Sequence, residues 1–401
     1  MNKDPLLLYV HVPFCVHKCG YCDFNSWAET SRGPQELWAG ALKSQILFWK
    51  EHIDFKKFEF ATVFFGGGTP SLLSDDLLIG ICEELRSQFQ FASNAEWSLE
   101  ANPETLTLEK LNTFEKSGFN RISIGLQSFE DRFLERLERR ARRVDNLRAL
   151  ELVAKHWKGR WSGDLMFALP HQTLQQWDDD LKTLLDFAPR HVSAYQLTLS
   201  TSRSQNWSQA PEDELIDFFN CTEQKLGESG LQRYEVSNFA HSGNESQHNL
   251  GYWRLTPFLG LGPGAAGLLP QRIAHSKSPY GVHQKNPDKF ENWVAQAGTF
   301  AAEMGSNLKS RACKDHLFEM LMMGLRTSEG IDMERLKPWD QLLREGVFAR
   351  QITDFIQVKE ERLKCSPKGI RILDNLLPQI YKNLEKNWDA NLDLSCFDPK
   401  F

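Results

Sequence analysis

Residues 6–24 read LLLYVHVPFCVHKCGYCDF. The run Leu6–Val12 has the length and apolar content of a buried β-strand, and Pro13 stops it. Three cysteines then follow within eight positions, as Cys15-x3-Cys19-x2-Cys22. Thiolates this close together in one loop hold three irons of a cubane [4Fe-4S] cluster and leave the fourth iron without a protein ligand. The alternative is a zinc site on the same thiols, with His11 or His17 as fourth ligand. A zinc knuckle, however, uses a second ligand pair at a distance, and the sequence shows none.

Downstream of this strand and loop, short apolar runs alternate with stretches of helical period. Strands are expected near 6–12, 60–65, 96–100, 121–125, 161–168 and 190–197, and helices at 34–51, 75–90, 107–117, 129–138, 145–157 and 173–187. Six β-α units predict an α/β fold, an incomplete (β/α)6 barrel whose strand C-termini share one rim. The unusual residues fall on that rim. Gly66-Gly67-Gly68-Thr69-Pro70 follows the second strand, Glu100 and Asn102-Pro103 end the third, Gln127 follows the fourth, and Asp164 lies in the fifth. Contiguous glycines without a following Gly-Lys-Ser/Thr fit neither a P-loop nor a dinucleotide fingerprint, but they let backbone approach a ligand closely.

The division expected is 1–230 for the barrel, 231–305 for an extension of irregular structure packed on it, and 306–401 for a smaller, mainly helical domain able to carry a short wing. In the last, CSPKGIRILDNLLPQIYKNL opens on a Ser-Pro cap before an amphipathic helix.

A formal net charge of -6 gives no general attraction to nucleic acid or anionic lipid. Arg139, Arg140, Arg142 and Arg143 read as a solvated helix face or a local basic patch. The N-terminus lacks a signal cleavage site, and the remaining cysteines (Cys82, Cys221, Cys313, Cys365, Cys396) are scattered thiols, so a reducing, cytoplasmic setting is expected.

YVHVPFCVHKCGYCDF and FFGGGTPS, with EANPET, RISIGLQSF, DLMFALPHQT, RYEVSNFA, HNLGYW and LMMGLRTSEGI, make the chain resemble the radical S-adenosylmethionine (SAM) family that contains oxygen-independent coproporphyrinogen III oxidase and the heme chaperone HemW. The resemblance covers nearly the whole length. It implies SAM as a second cofactor, chelating the open iron, with reductive cleavage to a 5'-deoxyadenosyl radical within the scaffold's reach. It also implies that Tyr9 and Tyr21 flank SAM, that Gly67, Gly68 and Thr69 contact its methionyl part, that Glu100 accepts a hydrogen bond from it, and that Gln127, Arg139 and Asp164 bind further SAM atoms.

Three features favour the chaperone branch over the oxidase. Phe24 stands where the oxidase carries a further cysteine, the arm ahead of Cys15 is short, and His248–Trp253 matches an HNxxYW motif associated with heme, making His248 the expected heme ligand. This branch implies heme and heme-receiving respiratory or storage hemoproteins as partners, a reductant for the cluster, and membrane contact at most through those partners. The oxidase, which decarboxylates coproporphyrinogen propionates, is the alternative. The chain departs from the family pattern at Leu137-Glu138-Arg139-Arg140-Ala141, which lacks a usual glycine and histidine, and at Ala266, where relatives often carry histidine.

Overall fold

The computed structural model describes residues 3–198, 211–274, 279–296, 308–346 and 354–388. Asp4–Val12 forms β1, in which Leu6, Leu8, Val10 and Val12 are fully buried and Leu7 nearly so. Burial on both faces is the condition of a central parallel strand and explains the unbroken apolar run. The next five expected strands are present as β2 (Phe58–Gly67), β3 (Phe91–Ala101), β4 (Arg121–Gln127), β5 (Arg160–Phe167) and β6 (His191–Gln196), each parallel to its predecessor.

The expected helices lie between them as α1 (Arg32–His52), α2 (Asp75–Gln88), α3 (Leu108–Lys116), α4 (Asp131–Arg136), α5 (Arg143–His156) and α6 (Leu174–Leu185). On α1, Trp38, Leu42, Ile46 and Trp49 recur at helical spacing and face the core. The Trp38 indole also donates to the His11 carbonyl (3.1 Å), pinning the helix to β1.

The extension is not irregular cover; it adds strands on both sides of the sheet. On one side β7 (Gln232–Arg233) and β8 (Asn238–Ala240) add antiparallel strands to β6. A short helix, α7 (Gln247–Trp253), then carries the HNLGYW residues. On the other side β9 (Phe258–Leu261) joins β1 as a further parallel strand, and β10 (Ala266–Leu269), β11 (Val282–Lys285) and β12 (Leu308–Ser310) continue antiparallel. Glycine here marks close backbone approach: a Cβ on Gly260 would lie 2.0 Å from the Ala266 carbonyl oxygen. The sheet ends on β12 and β7, which do not pair, so the barrel stays open.

The C-terminal region has its own core, built from α8 (Cys313–Gly324) and α9 (Leu373–Lys386), with Leu317, Leu321, Ile380 and Leu384 fully buried. Leu255, Leu268 and Tyr280 of the extension complete it. Beside it lies a three-stranded sheet of β13 (Ile331–Asp332), β14 (Ile356–Lys359) and β15 (Arg362–Cys365), with β15 central. Ser366 caps the turn that follows by accepting from the Gly369 N–H.

Candidate cofactor site at the barrel mouth

The cysteine loop leaves β1 and folds back on itself. Cys22 N–H donates to the Cys19 carbonyl (3.1 Å), Trp27 N–H to Pro13 (3.0 Å) and Glu29 N–H to Cys15 (2.9 Å). All three thiols line one cavity of about 280 Å³ at the C-terminal ends of the parallel strands. Among the described residues, no three His, Cys, Asp or Glu side chains converge as ligands of a single ion. A zinc site needs that convergence, whereas a cubane takes each thiolate on a different iron. The two histidines that could serve zinc as a fourth ligand have other partners here. His11 is buried between the Tyr9 hydroxyl (2.9 Å) and the Asn25 carbonyl (2.8 Å), and His17 sits 3.5 Å from Glu138. The donor set therefore fits a [4Fe-4S] cluster.

The glycine loop after β2 is tied to the cysteine loop by backbone hydrogen bonds, Gly68 N–H to Val12 and Thr69 N–H to Phe14, both 2.7 Å. The Thr69 hydroxyl points at the Cys15 sulfur (3.7 Å) and accepts from Asn102 Nδ2 (3.1 Å). Asn102 Oδ1 in turn accepts from Arg139 Nη2 (2.9 Å), which also reaches the Gly125 carbonyl (2.6 Å), while Arg139 Nη1 lies 3.9 Å from the Cys19 sulfur. Arg139 is thus 8 % exposed and part of the cavity wall, not one solvated arginine of four. Burial raises the Cys15 and Cys19 thiols, an effect opposed by Thr69 and Ser26 at Cys15 and by Arg139 at Cys19. Arg139 is the fixed positive charge that favours a thiolate here.

Two carboxyls face the cavity from inside the barrel. Glu100 Oε2 accepts from Gly67 N–H (3.1 Å), and burial pushes its carboxyl up to about 7. Asp164 accepts from the Ser123 hydroxyl (2.8 Å) and is raised to about 6, again by burial. A raised carboxyl makes folding take up a proton between its unfolded and folded pKa, so its contribution is fully present below about pH 4.5 and lost as pH rises through about 7. Glu100→Gln, which keeps the acceptor for Gly67, should therefore match the wild type in urea stability near pH 4.5. At pH 8 it should exceed it by about 3 kcal/mol. An equal gap at both pH values would place the Glu100 charge in solvent.

Eleven of the thirteen expected site residues line this one cavity: the three cysteines, Tyr21, Gly67, Gly68, Thr69, Glu100, Gln127, Arg139 and Asp164. Tyr21 packs against Phe133, Leu137 and Met166, and Gln127 ends β4 with a left-handed φ of 68°.

Tyr9 and His248 lie elsewhere, on a second cavity deeper in the barrel. His248 is 1 % exposed; its ring stacks on Phe64 (5.1 Å) and meets Tyr252 edge-on (4.6 Å). Its Nδ1 is hydrogen-bonded to Thr62 (2.7 Å), and burial depresses the imidazole to about 3. In this structure His248 is a neutral imidazole packed inside the barrel. Sequence reasoning gave no role to Asn102, Ser123 or Tyr195, all of which line the mouth cavity; only the position of Asn102 at a strand end signalled it.

The Radical SAM superfamily pattern matches residues 9–184 and the HemN C-terminal domain matches 313–372. The heme chaperone HemW of Haemophilus influenzae is 37 % identical over 290 residues, covering 69 % of this chain and 75 % of that protein. The chain belongs to the HemW-like radical SAM family. The mouse protein named radical S-adenosyl methionine domain-containing protein 1, mitochondrial, is 33 % identical over 402 residues, 95 % of this chain and 88 % of its own length. HemW of Escherichia coli is 37 % identical over 270 residues, 67 % and 71 % of the two chains. The solved structure of the radical SAM enzyme coproporphyrinogen III oxidase (HemN) from Escherichia coli superposes with a TM-score of 0.76 at 21 % identity, covering 96 % of this chain and 91 % of that one; it shares the fold. Among the described residues no helix is long and apolar enough to cross a membrane.

Proposed function

We propose that this chain is a HemW-like heme chaperone whose mouth cavity holds a [4Fe-4S] cluster on Cys15, Cys19 and Cys22 with SAM beside it, and which passes heme to a receiving hemoprotein. The observation that carries the cofactor half is the meeting of three thiols, the glycine loop, Glu100 and Arg139 in one cavity. The heme half is supported by relatives named heme chaperone and by Phe24, 61 % exposed where the oxidase has a further cysteine. When bound and reduced, the cluster supplies an electron for cleaving SAM at its sulfonium. The protein's own part is positional. Gly67 and Gly68 bring backbone against the methionyl group, Thr69 and Asn102 fix the loop, and Arg139 holds positive charge beside the thiolates.

The test is anaerobic reconstitution with iron and sulfide, heme titration followed at the Soret band, and coproporphyrinogen turnover on the same samples. Saturable heme binding without decarboxylation is expected; decarboxylated porphyrinogen without stable heme binding would replace the chaperone by the oxidase. Because His248 is enclosed, His248→Ala should change heme affinity by no more than about twofold. Loss of the Soret shift in that variant would show that α7 opens to admit heme.

A further inference from the structure

The interior of a parallel α/β barrel is ordinarily filled by layers of branched apolar side chains. Here four successive strands turn a serine inward: Ser98 on β3, Ser123 on β4, Ser162 on β5 and Ser193 on β6. Side chains this small leave a chamber of about 330 Å³ beneath the mouth cavity, with Glu100, Ser123, Asp164 and Tyr195 bordering both spaces. The site is built, because four of its lining residues each carry a buried polar atom without a hydrogen-bond partner among the described residues: Ser98 Oγ, Arg121 Nη2, His191 Nδ1 and His248 Nε2. Each of these residues is at most 3 % exposed. Native proteins rarely leave such groups unpaired, and four around one space call for an occupant that pairs them.

The chemistry of the floor selects the occupant. Arg121 and Arg160 share one carboxylate, Glu96, at 3.9 and 3.0 Å, and Glu96 Oε1 also accepts from the His248 N–H (3.2 Å). The floor therefore holds one guanidinium in excess, flanked by two neutral imidazoles. At the other end Asp164 is held by Ser123, and Ser162 bonds to Ser123 in turn (2.8 Å). We infer that this chamber binds a small carboxylate-bearing molecule, its carboxylate on Arg121 and Ser98 and its other end rising through the serines toward the SAM-side cavity. A guanidinium with a hydroxyl beside it matches a carboxylate in charge and hydrogen bonding. His191 and His248 complete the ring of contacts as neutral partners.

The inference goes beyond heme handling and is tested apart from it. The full chain, labelled with ¹³C at the histidine rings, is titrated with acetate at constant ionic strength against chloride, and the His191 and His248 signals are assigned by His191→Gln and His248→Gln. Both signals should shift saturably with acetate and stay still in chloride. Arg121→Gln should weaken that binding at least tenfold, and Ser98→Leu, which fills the chamber and leaves every charge in place, should abolish it. If Arg121→Gln does not fold, Ser98→Leu alone decides. No saturable shift in the wild type, or wild-type affinity in either folded variant, overturns the inference. Heme titration of the same samples reads the chaperone function independently.

Discussion

Cys19→Ala, reconstituted anaerobically beside the wild type and Cys82→Ala, should retain less than about a tenth of the wild-type iron and acid-labile sulfide. The cysteine loop offers three thiols on one cavity, so removing one leaves a cubane with two protein-held irons and two open ones. The loss at Cys19 is compounded, because its sulfur is the one facing the Arg139 guanidinium at 3.9 Å, which then loses its nearest thiolate. Cys82 is the control. It is fully buried on α2 within the apolar core, where burial pushes its thiol up to about 12, so it stays protonated. Its alanine variant should carry full iron and lose only about 1 kcal/mol of stability for the small cavity made. Full iron in Cys19→Ala would move the cluster away from this loop. Normal iron in Cys82→Ala with none in Cys19→Ala assigns it there.

Local pattern was enough for most of the barrel. β1 announced itself because a strand buried on both faces is mostly apolar, and each of the other five showed a shorter apolar run between helices with their own period. The rim position of the glycine loop, Glu100, Gln127 and Asp164 then followed from handedness alone. The extension escaped because its strands are two to four residues long and the turns between them are set by glycine and proline. In such a segment, turn chemistry and close backbone approach leave the same trace.

The limits within the site have a different origin. Arg139 and Cys19 are 120 positions apart, and Asn102 joins Arg139 to Thr69 across three strands. Such a network exists only in space, so an arginine in a run of four gave no sign of which one turns inward. His248 is the complementary case. A histidine beside Tyr252 and Trp253 has the composition of a heme pocket and equally that of an aromatic core, and its hydrogen bond to Thr62, 186 positions away, leaves no trace in the sequence. Tyr9 illustrates strand alternation near the mouth. It stands only six residues before Cys15, yet its hydroxyl turns to His11 and its ring to the deeper chamber.

Gly68→Ala should destabilise the protein by about 2–4 kcal/mol and weaken SAM binding to the reconstituted protein at least tenfold. An added Cβ would stand 2.6 Å from the Phe14 carbonyl oxygen and 2.9 Å from Pro13 C and the Val12 carbonyl oxygen. All three are backbone atoms at the end of β1 and the start of the cysteine loop, so no rotamer change relieves the contact. The chain can escape only by parting the two loops. Parting them costs the Gly68–Val12 and Thr69–Phe14 hydrogen bonds, and it withdraws Thr69 from Cys15 and Asn102. A single methyl group would thus strike stability and the cofactor cavity together, because one backbone seam serves both. Gly80→Ala isolates the steric cause: a Cβ there meets nothing within 4 Å on α2, and replacing a helical glycine should raise stability by about 0.5–1 kcal/mol. Urea unfolding of the unloaded protein and calorimetric SAM titration of the loaded one separate the two effects. Wild-type values for Gly68→Ala in both would mean that the glycine loop and the cysteine loop are not packed as a unit.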